Sequence, residues 1–226
     1  MKKLGGTCSI LAGIVFAISG FAFFLSQVGR FDWNSISSIS DYLVSSPASL
    51  ALWKIVNGGA ALAAFIAIAG VLALSDVIKP AHEGYVRWTS TLAIIGYSII
   101  AVTNIADLYQ IKRMALGYVI ADESAKSALE IIGIGTLDPT LSLRFITIGS
   151  WLLTAGWFSA SNNLLPKTLA YFGVIAGITS LGFALASFFE LQTFTLLAGS
   201  VAVIFHPVWL IWTGIILRQN KAIVHL

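Results

Sequence analysis

The sequence predicts an all-α, polytopic membrane protein: six transmembrane helices in one bundle, with short interfacial helices in the first and third loops. Three observations carry that prediction. Only 10% of the 226 residues are charged and 58% are hydrophobic, with a mean hydropathy of +0.90. Soluble domains carry about 25% charged residues, so this chain could not cover a water-facing surface and must turn apolar surface to lipid. The apolar residues also gather into six runs, each long enough for a helix to cross a ~30 Å hydrocarbon core. Finally, the runs lack the period-2 alternation of a barrel, and in lipid only helices and closed barrels satisfy their own backbone groups.

Taken in order, the first run is Thr7–Val28, preceded by Lys2 and Lys3. It is longer than the apolar core of a secretory signal and no small-residue cleavage site follows promptly, so an uncleaved first helix is expected. In the connection after it, Trp33, Ile36, Ile39 and Leu43 recur at helical spacing between serines, the pattern of a helix lying in the headgroup region. The second run, Leu50–Leu74, sets Gly59, Ala63, Ala67 and Gly70 three or four residues apart, a face that lets backbones approach closely. A polar turn with Lys79, Pro80, His82 and Glu83 leads to the third run, Trp88–Leu108.

The loop Tyr109–Ser142 is the longest, and an amphipathic helix is expected within it over Ile120–Ile132 before Gly133, Gly135 and Pro139. The fourth run is Leu143–Ser161. Pro166 then stands at the start of the fifth, Thr168–Phe189, where its missing N–H costs nothing. The sixth, Leu191–Leu217, has 27 residues without Asp, Glu, Lys or Arg. It follows so closely that the last two helices must form an antiparallel hairpin. All of this makes one membrane domain spanning residues 1–226.

Cations divide almost evenly between the two sides of such a bundle. Lys54 and Arg144 sit inside helices, and Lys112, Arg113 and Lys126 lie in the longest loop. Discounting those places both termini in the cytoplasm of a bacterial cytoplasmic membrane.

A charge at the centre of a span costs at least ~2.5–3.5 kcal/mol, whereas one near an end reaches water cheaply. Lys54, Asn57, Asn104, Asp107, Arg144 and Glu190 all fall at the expected extracytoplasmic end, with Thr147 beside them. Lys54 and Asn57, Asn104 and Asp107, and Arg144 and Thr147 are each i,i+3 pairs on one helix face. Asp107 is expected between Lys54 and Arg144. Such a cluster is either a set of structural ion pairs and separately hydrated groups, or a polar vestibule for a ligand or proton.

His206 is the one ionisable group within the sixth run, ~22 Å along the axis from Leu191. Pro207 removes the bond to the carbonyl of Val203. The imidazole has three readings: structural, bonded to a freed carbonyl or a neighbouring hydroxyl; an axial ligand to haem or a chlorin, for which a second histidine is missing; or a proton relay.

Enzyme motifs are missing: no H-E-x-x-H, G-x-S-x-G, C-x-x-C or phosphate loop occurs. Cys8 is alone, which excludes an internal disulfide and a cysteine metal cage. Lys and Arg are spread along the chain and leave no nucleic-acid footprint.

Two stretches of the second half carry a resemblance. Trp157-Phe-Ser-Ala-Ser-Asn-Asn-Leu-Leu-Pro-Lys-Thr-Leu-Ala-Tyr-Phe-Gly-Val-Ile-Ala-Gly177 pairs a short polar turn with Leu-Pro and a glycine-bearing helix, and Phe205-His-Pro-Val-Trp-Leu-Ile-Trp-Thr-Gly214 closes with Pro, Trp-Leu and Gly. Together, over residues 157–217, they resemble the bacterial membrane family filed as domain-of-unknown-function 4386. The resemblance implies a small multi-helix membrane protein and supplies no catalytic residues.

The expectation from the residues is a small integral membrane protein without catalytic chemistry of its own, an accessory or structural subunit among other membrane protein subunits. The alternatives are a small transporter or sensor using the polar cluster, or a haem- or chlorin-binding protein using His206.

Overall fold

The computed structural model describes residues 2–25, 47–80, 82–128, 140–189 and 191–219. Among them are six long helices and no strand: α1 Lys2–Leu25, α2 Pro47–Ile78, α3 Glu83–Ile120, α4 Leu141–Ser161, α5 Lys167–Phe188 and α6 Gln192–Gln219. Five of these, all but α4, are long and apolar enough to cross a membrane. The chain is a polytopic helical membrane protein. The interfacial helix expected in the first loop lies outside the described residues.

Each helix packs on its neighbours in sequence, and α1 closes the circle against α6. The result is a ring in chain order, with α2 also reaching α4 and α6 across the interior. α2 comes inward because Ala63, Ala64, Ala67 and Val71 are small and fully buried. Gly59 and Gly70 face Ser19 and Ser9 of α1, so the small-residue face is used inside the chain. Gly177 of α5 lies against Leu153 of α4, and Gly173 against Trp209 of α6 and Gly156 of α4.

Several helices run past their apolar runs, α1 beginning at Lys2 and α2 ending at Ile78, and the largest differences follow α3. α3 does not stop near Leu108 but continues for 12 more residues to Ile120. The apolar run ends at Leu108, but Gln110, Lys112, Arg113, Met114, Ala115 and Leu116 are strong helix formers, and hydropathy ends a span without ending a helix. The helix expected over Ile120–Ile132 is correspondingly displaced. Ala121 is extended (φ −74, ψ 148), and a short helical segment, 123–128, follows. Asp122 starts it by accepting the amide N–H of Ala125 on Oδ1 at 2.8 Å. Residues 129–139 of that loop lie outside the described residues.

Candidate functional site

The centre of the bundle is organised around His206. The ring stands about 14 residues into α6, or ~21 Å along the axis. Tyr97 stands as far into α3, and Phe16 as far into α1. The three meet at one depth. The hydroxyl of Tyr97 lies 2.5 Å from Nε2 of His206. With the phenol donating, the neutral imidazole accepts at Nε2 and carries its own proton on Nδ1. The two rings stack at 5.7 Å and 24°, and Phe16 lies 5.3 Å from the imidazole. Tyr97 is fully buried and His206 partly so.

Because α3 and α6 are opposite members of the ring, this bond braces the bundle across its interior. A second brace lies close by along α6: Trp151 of α4 and Trp209 of α6 meet edge to face at 5.3 Å, both essentially fully buried. α6 continues through Pro207 as one helix. The partner expected for His206, a freed carbonyl or a neighbouring hydroxyl, is thus a hydroxyl from a distant helix. Nε2 is engaged by the Tyr97 hydroxyl, and Phe16 lies tilted at 47° beside the imidazole.

The predicted polar end is partly drawn together. Asp107 and Arg144 lie within electrostatic reach of each other, joining the end of the apolar part of α3 to the start of α4. Thr147 is buried one turn along and donates to the carbonyls of Leu143 (2.9 Å) and Arg144 (3.0 Å). Asn57 and Asn104 are buried, and each amide donates to a carbonyl one turn back, Trp53 at 3.0 Å and Ile100 at 2.8 Å. Their side chains are therefore engaged locally. Lys54 is exposed, and Glu190 lies outside the described residues. Among the described residues, no group of three His, Cys, Asp or Glu side chains could hold a metal ion. His82, at the other end, stacks on Phe158 at 4.2 Å.

The family profile described as Domain of unknown function (DUF4386) matches residues 7–214. The chain belongs to the DUF4386 family. The match runs from within α1 to within α6, so the family likeness takes in the whole ring and not only residues 157–217, where the sequence motifs lie. No curated protein and no solved structure matches this DUF4386 chain. Tyr97 is the residue the sequence motifs miss. It reads as one more aromatic in an apolar run, and its partner is 109 positions away.

Proposed function

We propose that this chain is a six-span protein of a bacterial cytoplasmic membrane, termini inside, serving as an accessory or structural subunit of a larger assembly without catalysing a reaction. The observation that supports this best is the filled centre of the ring. Tyr97, Trp151 and Trp209, all essentially fully buried, occupy the space that a conduction path or a substrate would need. Large rings at van der Waals contact make a bundle interior stiff, which suits a body that others pack against. His206 on this reading is a structural group held by Tyr97.

α4 completes the six spans. Its 21 residues cover ~31 Å. Its apolar run is interrupted by Arg144 and by Thr147, Gly149, Gly156 and Ser159, the last four buried against protein, where hydroxyls and small residues are favoured. The test is a native gel of the protein extracted in a mild detergent. It should migrate with other membrane subunits at a mass well above one chain, and a lone monomer at native expression would overturn the subunit reading. A second reading, transport or sensing, is favoured by the partly buried Asp107 and Arg144, which lie within electrostatic reach of each other. Proton or solute flux into liposomes holding the purified chain, lost on Asp107→Asn, would establish it over the first.

A further inference from the structure

At the end of the bundle opposite Asp107, the last two turns of α2 and the first three of α3 enclose an outward-facing groove of about 180 Å³. Its charged residues, Asp76, Lys79 and Arg87, lie where the two apolar spans end. Leu72 and Ile94 line it deeper in the bilayer, ~9–16 Å along the helix axes from the turn. The floor is Ser75 and Ser90, whose hydroxyls meet at 2.5 Å. From the turn inward the groove therefore runs from charge to hydroxyl to hydrocarbon, the same order as headgroup, glycerol and acyl chain in a phospholipid.

The charges narrow the occupant. Lys79 is already bridged to Glu83 at 3.2 Å. Asp76 and Arg87 are both exposed, and among the described residues neither forms an ion pair with the other or with any third group. An open cation and an open anion lining one groove match a headgroup that carries both signs. We propose that the α2–α3 groove binds a zwitterionic aminophospholipid, phosphatidylethanolamine in type, with its phosphate on Arg87, its ammonium on Asp76 and an acyl chain along Leu72 and Ile94. Arg suits the phosphate through its forked donors, and the three N–H groups of the ammonium suit a carboxylate. Basic groups between helices at the membrane boundary are a recurring headgroup site. The site does not depend on whether the chain has partner subunits.

The experiment is native mass spectrometry of the delipidated full chain in detergent, titrated with dioleoyl phosphatidylethanolamine, phosphatidylcholine and phosphatidylglycerol. Phosphatidylethanolamine should bind about ten-fold more tightly than either, the low end of one charge-assisted hydrogen bond gained. Asp76→Asn should erase its advantage over phosphatidylcholine, and Arg87→Gln should weaken all three. Independently of any variant, affinity should fall stepwise as the amine is methylated once, twice and three times. Phosphatidylglycerol binding as well as phosphatidylethanolamine would replace the proposal with a plain basic patch. Lipid binding that neither variant changes would place the site elsewhere.

Discussion

Tyr97 and His206 meet where neither can turn to water, so each is the other's means of satisfying a polar atom. A buried donor or acceptor left without a partner costs ~1–3 kcal/mol, although polar contacts measured inside membrane proteins average ~0.6 and reach ~1.7 kcal/mol. Tyr97→Phe strands Nε2, and His206→Leu strands the phenol. Either change should lower stability by ~1–2 kcal/mol. The double variant Tyr97→Phe/His206→Leu should lose less than the sum, with a coupling of ~0.6–1.7 kcal/mol. Unfolding titrations in bicelles measure this cycle, and strict additivity would mean that the two side chains do not act as a pair. His206 was legible in the sequence because an ionisable group inside an apolar run stands out by its cost. Tyr97 was not, because a phenol in a span has no such cost until the fold shows what it touches. The same contrast holds at the polar end. Asp107 and Arg144 were visible as opposite charges at one depth, while the local bonds that engage Asn57 and Asn104 depend on rotamers that no spacing reveals.

Helices are held together here largely by what the glycines leave out. At Gly177 of α5 a Cβ would stand 2.5 Å from the amide nitrogen of Leu153 in α4, and at Gly156 of α4 another would stand 2.6 Å from the amide nitrogen of Val174 in α5. Both obstacles are backbone, which cannot rotate aside, so the helices would have to separate. Gly182, one turn further along α5, has nothing within 4 Å of the same position. Gly177→Ala should therefore destabilise by ~1–3 kcal/mol. Gly182→Ala should be neutral or stabilise by up to ~1 kcal/mol through helix propensity. Thermal melts of the two variants in one detergent provide the comparison, and equal effects would show that the α4–α5 approach is looser than described. The six long helices were legible, since long apolar runs without period-2 alternation satisfy their backbone in lipid only as helices. Element ends were less so: α3 outlasts its apolar run because backbone propensity, not hydropathy, decides where a helix stops.

At the scale of the whole molecule the number of crossings turns on α4. The ring itself constrains the answer. α4 packs along α3 on one side and α5 on the other; its turn into α5 is only a few residues long, and Phe158 near its end stacks on His82 at the start of α3, so α4 runs antiparallel to both. If α4 crosses, the segment after α3 and the turn after α4 lie on opposite sides. If it does not, both lie on one side and the chain has five spans. Hydropathy leaves α4 out because it averages over all faces, whereas the bilayer meets only the outward one, with Leu143, Ile146 and Trp157 exposed there. Orientation rests on discounting Lys54 and Arg144, which belong to the helices. Single cysteines decide both points, after Cys8→Ser removes the native thiol. One goes at Ser127, exposed beyond α3, and the other at Asn162. Asn162 is preferable to Asn163, whose φ of 51° suits asparagine and would strain a cysteine. An impermeant maleimide on intact cells should label Ser127→Cys and reach Asn162→Cys only after permeabilisation. The reverse pattern would keep six spans and put the termini outside. Labelling of both from one side would remove α4 from the membrane, and with it the polar end that joins Asp107 to Arg144.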